Sequence, residues 1–203
     1  MHYYMRLFLS LTRISFMMLF LFTIICGIFY PGFITIVLKS VVGFKAQGSF
    51  IEQDGKIIGS KLIGQYFNDP KYFWGRPPQD IEKPYNFIEA QSSHLSPKNS
   101  KLKDLIQKRI DFLMSFETDK NRKIPLDLVT SSGSDLDPHI SPESALFQVD
   151  RIVSRRHLAK DKIEKLVNDH IEDKIFGFLG EKRVNVLMLN LALDAFSQME
   201  DLK

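Results

Sequence analysis

Between Arg13 and Lys39 the chain has no charged side chain, and the stretch from Ile14 to Leu38 is almost wholly apolar. A bilayer's hydrocarbon core is about 30 Å thick, so ~20 apolar residues of helix cross it. A helix packed on a water-soluble core keeps one polar face, and this run has none. The expectation is a transmembrane helix over residues 10–35, preceded by a short tail, residues 1–9. A cleaved signal peptide has a shorter apolar region and a small-x-small cleavage site. No such triplet follows here, and Ile25 precedes Cys26 where a lipoprotein signal needs a small residue. Pro31 is expected to bend or end the helix near residue 30. Tyr30 then falls among the headgroups and Phe33 to Leu38 at the far interface.

Arg6 and Arg13 precede the span and Lys39 and Lys45 follow it, so the positive-inside rule is nearly balanced. The absence of acids from residues 1–38 tilts the reading towards a short inside tail and an outside domain. The 165 residues after Leu38 are the size of one ordinary domain. They hold all 24 acids and 25 of the 27 bases, a formal charge of +1. That balance gives no one-sided basic cluster and speaks against nucleic-acid binding. The one cysteine lies in the apolar run, which excludes disulfides and cysteine zinc sites from the domain.

Along residues 36–203 the pattern is mixed α+β. Ile51 to Ile63 reads as two short strands around Gln53-Asp54-Gly55-Lys56, since Asp-Gly favours a tight reversal. Gly64 to Pro78 is dense in rings and turn formers without either period. So many aromatics seek burial or a partner, and Tyr72, Phe73, Trp74 and Arg76 are its candidate contacts. Ser96-Pro97 predicts a helix start, followed by an apolar stripe of Leu102, Leu105, Ile106, Leu113 and Phe116. Thr118 to Lys123 is a charged break. Ser141-Pro142 predicts another start, with a short helix over 145–152. Ile163, Leu166, Val167, His170 and Ile171 then share one helical face. Val184 to Leu193 reads as a buried strand passing into a final helical turn, with Asn185 and Asn190 as buried amides.

The segment Thr130 to Pro142 carries the most chemistry. Asp135, Asp137 and His139 stand at alternate positions, a spacing that suits either cation ligation or a loop capping its own backbone, and with the aromatic segment they are candidate partner contacts. It lacks the EF-hand glycine and closing acid. A hydrolase would recruit Ser132, His139 and Asp137, yet Gly-x-Ser-x-Gly is missing. No Walker loop is present, and Asp119-Lys120 continues with Asn121, so no phosphorylated Asp-Lys-Thr-Gly appears either. Arg76 has the planar fork to clamp a carboxylate or loop carbonyls.

Several long motifs in fixed order resemble one family: the C subunit of Kdp-type potassium-transporting ATPases. They are Tyr30-Pro31, Gly59-Ser60-Lys61-Leu62-Ile63-Gly64-Gln65, Tyr72-Phe73-Trp74-Gly75-Arg76-Pro77 and Pro84-Tyr85-Asn86. Leu128 to Pro142, Gln148 to Arg151 and Val184 to Asp194 complete the set. The resemblance implies a single-pass, non-catalytic accessory subunit in the cell (inner) membrane, with an extracytoplasmic domain. Its implied partners are a potassium-binding channel-like subunit, a P-type ATP-hydrolysing subunit and a small stabilising peptide. It also implies a role in assembly and as a catalytic chaperone that raises ATP affinity. Gln148 matches the glutamine of the stretch where nucleotide contact is proposed, so ATP would be shared with the hydrolysing subunit and no cofactor or metal would be the chain's own. Residues 87–94 depart from the family's glycine-containing run, Pro78 replaces a usual serine, and Ala159 stands where a capping serine often precedes the long helix. Two other readings stay open: an anchored hydrolase built on Ser132, Asp137 and His139, and a free-standing anchored binding module.

Overall fold

The computed structural model describes residues 2–53, 55–80, 83–86, 88, 92–117 and 121–201. Asp54 of the first turn, Phe87 and residues 89–91 of the altered loop, and residues 118–120 of the charged break lie outside the described residues. The architecture is α+β, a long apolar helix followed by helices and small sheets. Two compact units divide the chain, Met1–Phe50 and Ile51–Lys203.

In the first unit, α1 (His2–Ile24), a π-helical turn (Ile25–Phe29) and α2 (Tyr30–Ala46) follow one another without a break. Tyr3–Ala46 is the one helix among the described residues long and apolar enough to cross a membrane, and its 18-residue apolar stretch has a mean hydropathy of 2.2 and no buried residue. Its 44 residues reach about 66 Å, more than the ~40–45 Å of a whole bilayer. The expected stop at Pro31 does not occur. Pro31 offers no N–H to the carbonyl of Gly27, and its ring crowds that oxygen; the widened turn just before it absorbs the misfit. A second irregularity falls at Val42 (φ −131°, ψ 39°). The hydroxyls of Ser10, Thr23 and Ser40 donate to carbonyls three or four residues back, so these polar groups are satisfied within the helix.

The second unit holds the expected strand pair, β1 (Phe50–Gln53) with β2 (Lys56–Ser60). An antiparallel sheet follows in the order β3 (His139–Ile140), β5 (Arg183–Asn185), β4 (Ile171–Glu172), with Ile140 and Ile171 both facing Val184. On it pack α4 (Pro142–Phe147), α5 (Val149–Arg156), α6 (Lys160–Asp169) and α7 (Val186–Asp201). Ile152, Ile163, Val167, Val184, Leu189 and Leu193 are fully enclosed and form the main core. A second apolar cluster gathers Trp74, Leu113, Leu128, Val129 and Phe147 against α3 (Ser100–Ser115).

Three boundaries differ from expectation. The cap of α3 is Asn99, whose side chain accepts from Lys101 N at 2.9 Å. Ser96 instead closes the preceding turn, its carbonyl taking Asn99 N–H at 2.8 Å; Asn caps as well as Ser does. The single helix expected over 145–152 is two, meeting at Gln148. The final apolar run is a three-residue strand and then a 16-residue helix, because only Val184 and its neighbours find a sheet partner. Ser141 caps α4 as predicted, accepting from Ser144 N at 3.1 Å, and Asp127 holds Ser141 N–H at 2.7 Å.

Ala159 occupies the N-cap of α6 in extended geometry (φ −69°, ψ 133°) with no side chain to offer the first turn. Ala159→Ser should stabilise the chain by about 1 kcal/mol. Thermal or urea unfolding of the full-length protein in detergent measures it.

Candidate functional site

The aromatic segment after β2 is threaded between the two apolar clusters. In an extended backbone successive side chains point to opposite faces. Phe73 (0 % exposed) therefore enters the main core and Trp74 the α3 cluster. Neither residue has a strand beside it, and two helix-borne amides take that place. Asn190 of α7 accepts Phe73 N–H at 2.8 Å and donates to Phe73 O at 2.9 Å. Gln148, between α4 and α5, accepts Trp74 N–H at 2.8 Å and donates to Trp74 O at 3.0 Å.

Gln148 is 1 % exposed, and both ends of its amide carry two bonds. Its nitrogen also donates to Ser144 O (3.2 Å) and its oxygen also accepts from Arg151 Nη2 (2.6 Å). The Arg151 guanidinium lies 3.6 Å from the centre of the Trp74 ring and donates to the carbonyls of Tyr72 (2.9 Å) and Pro70. Burial pulls its pKa down to about 9, which leaves it cationic at neutral pH. Tyr72 donates to Asp194 (3.0 Å), and Arg156 joins that carboxylate at 2.7 Å while lying over the Tyr72 ring.

Arg76 binds loop carbonyls and also faces a carboxylate. It reaches Ser131 O (3.1 Å), Thr130 O and Oγ1 (3.4 and 3.3 Å), with Asp137 at 3.7 Å. Asp137 accepts from the backbone N–H of His139 at 3.0 Å and contacts its ring at 3.3 Å. Burial pushes the Asp137 carboxyl up, but the hydrogen bonds from His139 and the nearby Arg76 outweigh it and hold it below the usual range. Asp135 (φ +60°) accepts Gln79 N–H at 2.8 Å, and burial raises its pKa. Asp137 thus caps the loop's own backbone, while Asp135 ties the loop to the Gln79 backbone. Among the described residues no group of three or more His, Cys, Asp or Glu side chains converges to hold a metal. Ser132 Oγ is buried and makes no hydrogen bond, so nothing couples it to the His139–Asp137 pair.

Tyr85 locks the two loops together. Its hydroxyl donates to Arg76 O (2.8 Å), and Gly64 N–H donates to Leu136 O (2.8 Å) beside it. A Cβ on Gly64 would fall 2.7 Å from Asp137 O and 2.4 Å from the Tyr85 ring, which explains the glycine. Between this segment and α3 lies an open cavity of about 280 Å³ lined by Tyr66, Phe67, Trp74, Pro78, Leu105 and Phe112. Among the described residues its ionisable lining is Tyr66, Arg76, Tyr85, Lys108 and Arg109, with no acid. Arg109 donates to Val129 O (3.1 Å) and Pro78 O (2.9 Å), and burial lowers its pKa.

A family model described as K+-transporting ATPase, c chain, KdpC, matches residues 12–195, which takes in most of the apolar helix and every residue of this clamp. The chain belongs to the KdpC family. The potassium-transporting ATPase KdpC subunit of Paraburkholderia phytofirmans is 48 % identical over 172 residues, 85 % of this chain and 90 % of that protein. Those of Dechloromonas aromatica (44 % over 189 residues, 93 % and 99 %) and Methylococcus capsulatus (46 % over 179 residues, 88 % and 94 %) are similar. The resemblance read from the motifs therefore holds, and the motifs of this KdpC chain are now placed. Tyr72, Phe73, Trp74, Arg76, Asp137, His139 and Gln148 belong to one connected structure. Arg151, Asn190 and Asp194 complete it. The sequence signal for Asn190 was an amide in an apolar helical run; Arg151 and Asp194 stood in the motifs without a role.

Gln148→Leu strands Trp74 N–H and Arg151 in the interior and should cost about 3 kcal/mol. Trp74 is the one tryptophan, so red-shifted emission reports the loosened loop directly. For Asp137 the folded pKa lies below the unfolded 3.8. Its stabilisation is full above that value and disappears as pH falls through the folded one. Asp137→Asn should flatten that part of the acid unfolding curve.

Proposed function

We propose that this KdpC-family chain is a non-catalytic accessory subunit of an ATP-driven potassium importer, acting in assembly through packing. The observation that carries the reading is that the Gln148, Asn190, Arg151 and Arg76 side chains of its motifs are engaged in the fold. Gln148 and Asn190 clamp backbone, Arg151 sits on Trp74, Arg76 holds the Thr130–Ser131 carbonyls, and Ser132 lacks a base. A catalytic group needs a free valence within reach of a substrate. A saturated amide fixes shape. The partners are the channel-like potassium-binding subunit, the P-type ATP-hydrolysing subunit and the small stabilising peptide. The aromatic cavity beside α3, to which the aromatic segment contributes Tyr66, Phe67, Trp74 and Arg76, is the docking surface.

On this reading the second unit lies outside the membrane, as the charge bias before and after the apolar helix suggests, and ATP does not touch it. Gln148 acts by holding Trp74, and a raised ATP affinity is a coupling free energy between distant sites. A photoreactive ATP analogue should label only the ATP-hydrolysing subunit of the purified complex; a crosslink to Gln148 would establish direct contact. Ser132→Ala should leave potassium-stimulated ATP hydrolysis within about twofold of the parent, since small changes at non-reacting positions stay near ±0.5 kcal/mol. Loss of activity in that variant would bring the hydrolase reading back.

A further inference from the structure

The connection between β4 and β5 belongs to no part of the clamp. Ile175 and Leu179 exchange backbone hydrogen bonds of 2.9 and 3.0 Å and close a hairpin tipped by Phe176-Gly177-Phe178. Phe178 N–H donates to Ile175 O at 3.4 Å, and φ is +54° at Phe176 and +81° at Gly177. Positive φ at both central residues is the signature of a type I′ turn, which favours Asn, Asp or Gly first. A bulky aromatic there is a steric outlier. Burial does not reward it either, since Phe176 is 86 % exposed and Phe178 77 %. Ile175 and Leu179 are exposed beside them. The fold of this unit gains nothing from that choice of residues, and strain of this kind persists where function demands it.

The surroundings select the kind of partner. Lys174 pairs with Glu181 (3.1 Å), Lys182 with Asp173 (2.8 Å), and Arg183 with Glu172 (3.1 Å). Attraction to anionic headgroups draws on unpaired bases, and each of these bases has an acid. An apolar centre inside a rim of both charges is the anatomy of a protein–protein contact. The hairpin's backbone closes on itself, so the tip can enter a dry pocket with few stranded N–H groups.

We propose that the Ile175–Leu179 tip is a plug that seats in an apolar, mixed-charge-rimmed pocket of another protein subunit, with Phe176 and Phe178 as anchors. This rests on the reading of the chain as one subunit of a membrane complex. Four side chains cover too little area to hold a subunit alone, so the plug sets register within a larger interface.

Two measurements test it on the full-length chain. Phe176→Asn removes strain and an exposed ring together. It should raise the unfolding midpoint of the lone chain in nanodiscs while weakening its retention in the purified pump by about tenfold. A lower midpoint, or unchanged retention, would overturn the plug. In a Cys26→Ser background, Leu179→Cys carrying an environment-sensitive dye should emit as if in water in the lone chain and shift to the blue only in the assembled complex. A blue shift in lipid nanodiscs without partners would assign the tip to the bilayer and overturn the proposal. A dye still in water within an assembled complex would overturn it and leave the subunit reading standing. Failure of the unmodified chain to co-purify with any partner would remove the subunit reading and the plug together.

Discussion

Two side-chain amides do in this protein what a neighbouring strand does elsewhere. Asn190 and Gln148 each pair with the N–H and the C=O of one loop residue, at 2.8 to 3.0 Å. Without them, two N–H and two C=O groups would lie buried and unpaired, at about 1–3 kcal/mol each. With them, an irregular segment passes through the interior and places Phe73 in one apolar cluster and Trp74 in the other. The segment joins the two clusters, as α4 does with Ala145 in one and Phe147 in the other. Because each amide meets both a donor and an acceptor, its orientation is fixed and so is the register of the loop.

The second loop depends on the first. Arg76 leaves the aromatic segment with its guanidinium on the carbonyls of Thr130 and Ser131, and Tyr85 returns to Arg76 O. Gly64 allows the backbone of the Leu136–Asp137 peptide to come within contact, and Val186 N–H takes Pro138 O at 3.0 Å to start α7. Asp137 therefore works as a turn-former held down by Arg76, and its lowered pKa follows from that structural duty. Perturbed carboxylates often mark chemistry. Here His139 bonds the carboxylate through its own backbone N–H and ring, and Arg76 holds backbone carbonyls, so the shift follows from the turn without a catalytic role.

Much of this was legible in the residues. The long apolar helix, the first strand pair, the Ser141 cap and the buried face of α6 all follow from composition, period and local motifs. Asn185 and Asn190 were readable as buried amides, since a lone polar residue in an apolar run must find a partner. What escaped was long-range. Nothing local tells that Gln148 lies against Trp74, 74 positions away, or Asn190 against Phe73, 117 away. The helix through Pro31 was missed for a related reason: a proline forbids one hydrogen bond, and a widened turn can forgo that bond without ending the helix. The cap of α3 moved from Ser96 to Asn99 because two good capping residues competed and the turn took the first.

The same accounting separates the interior from the surface. Inside the clamp the Gln148 and Asn190 amides are paired at both ends and Phe73 and Trp74 are enclosed; the conflict between local and global preference, as at Tyr85 with φ +55°, is offset there by its hydroxyl's hydrogen bond to Arg76 O. At the Phe176–Gly177 turn it is at its sharpest, an aromatic in a conformation suited to Asn, with its ring in solvent. The two sites carry opposite signs of the same physical test. Where local choice and global fold agree, the residue serves stability, and variation weakens the fold. Where they disagree with no reward inside the molecule, the reward must come from something the chain meets. The motifs that identify this chain as a KdpC-family subunit are of the first kind. They describe how the domain holds itself together, whereas the Phe176–Phe178 tip, which adds nothing to that packing, is the part of the chain that the fold alone does not explain.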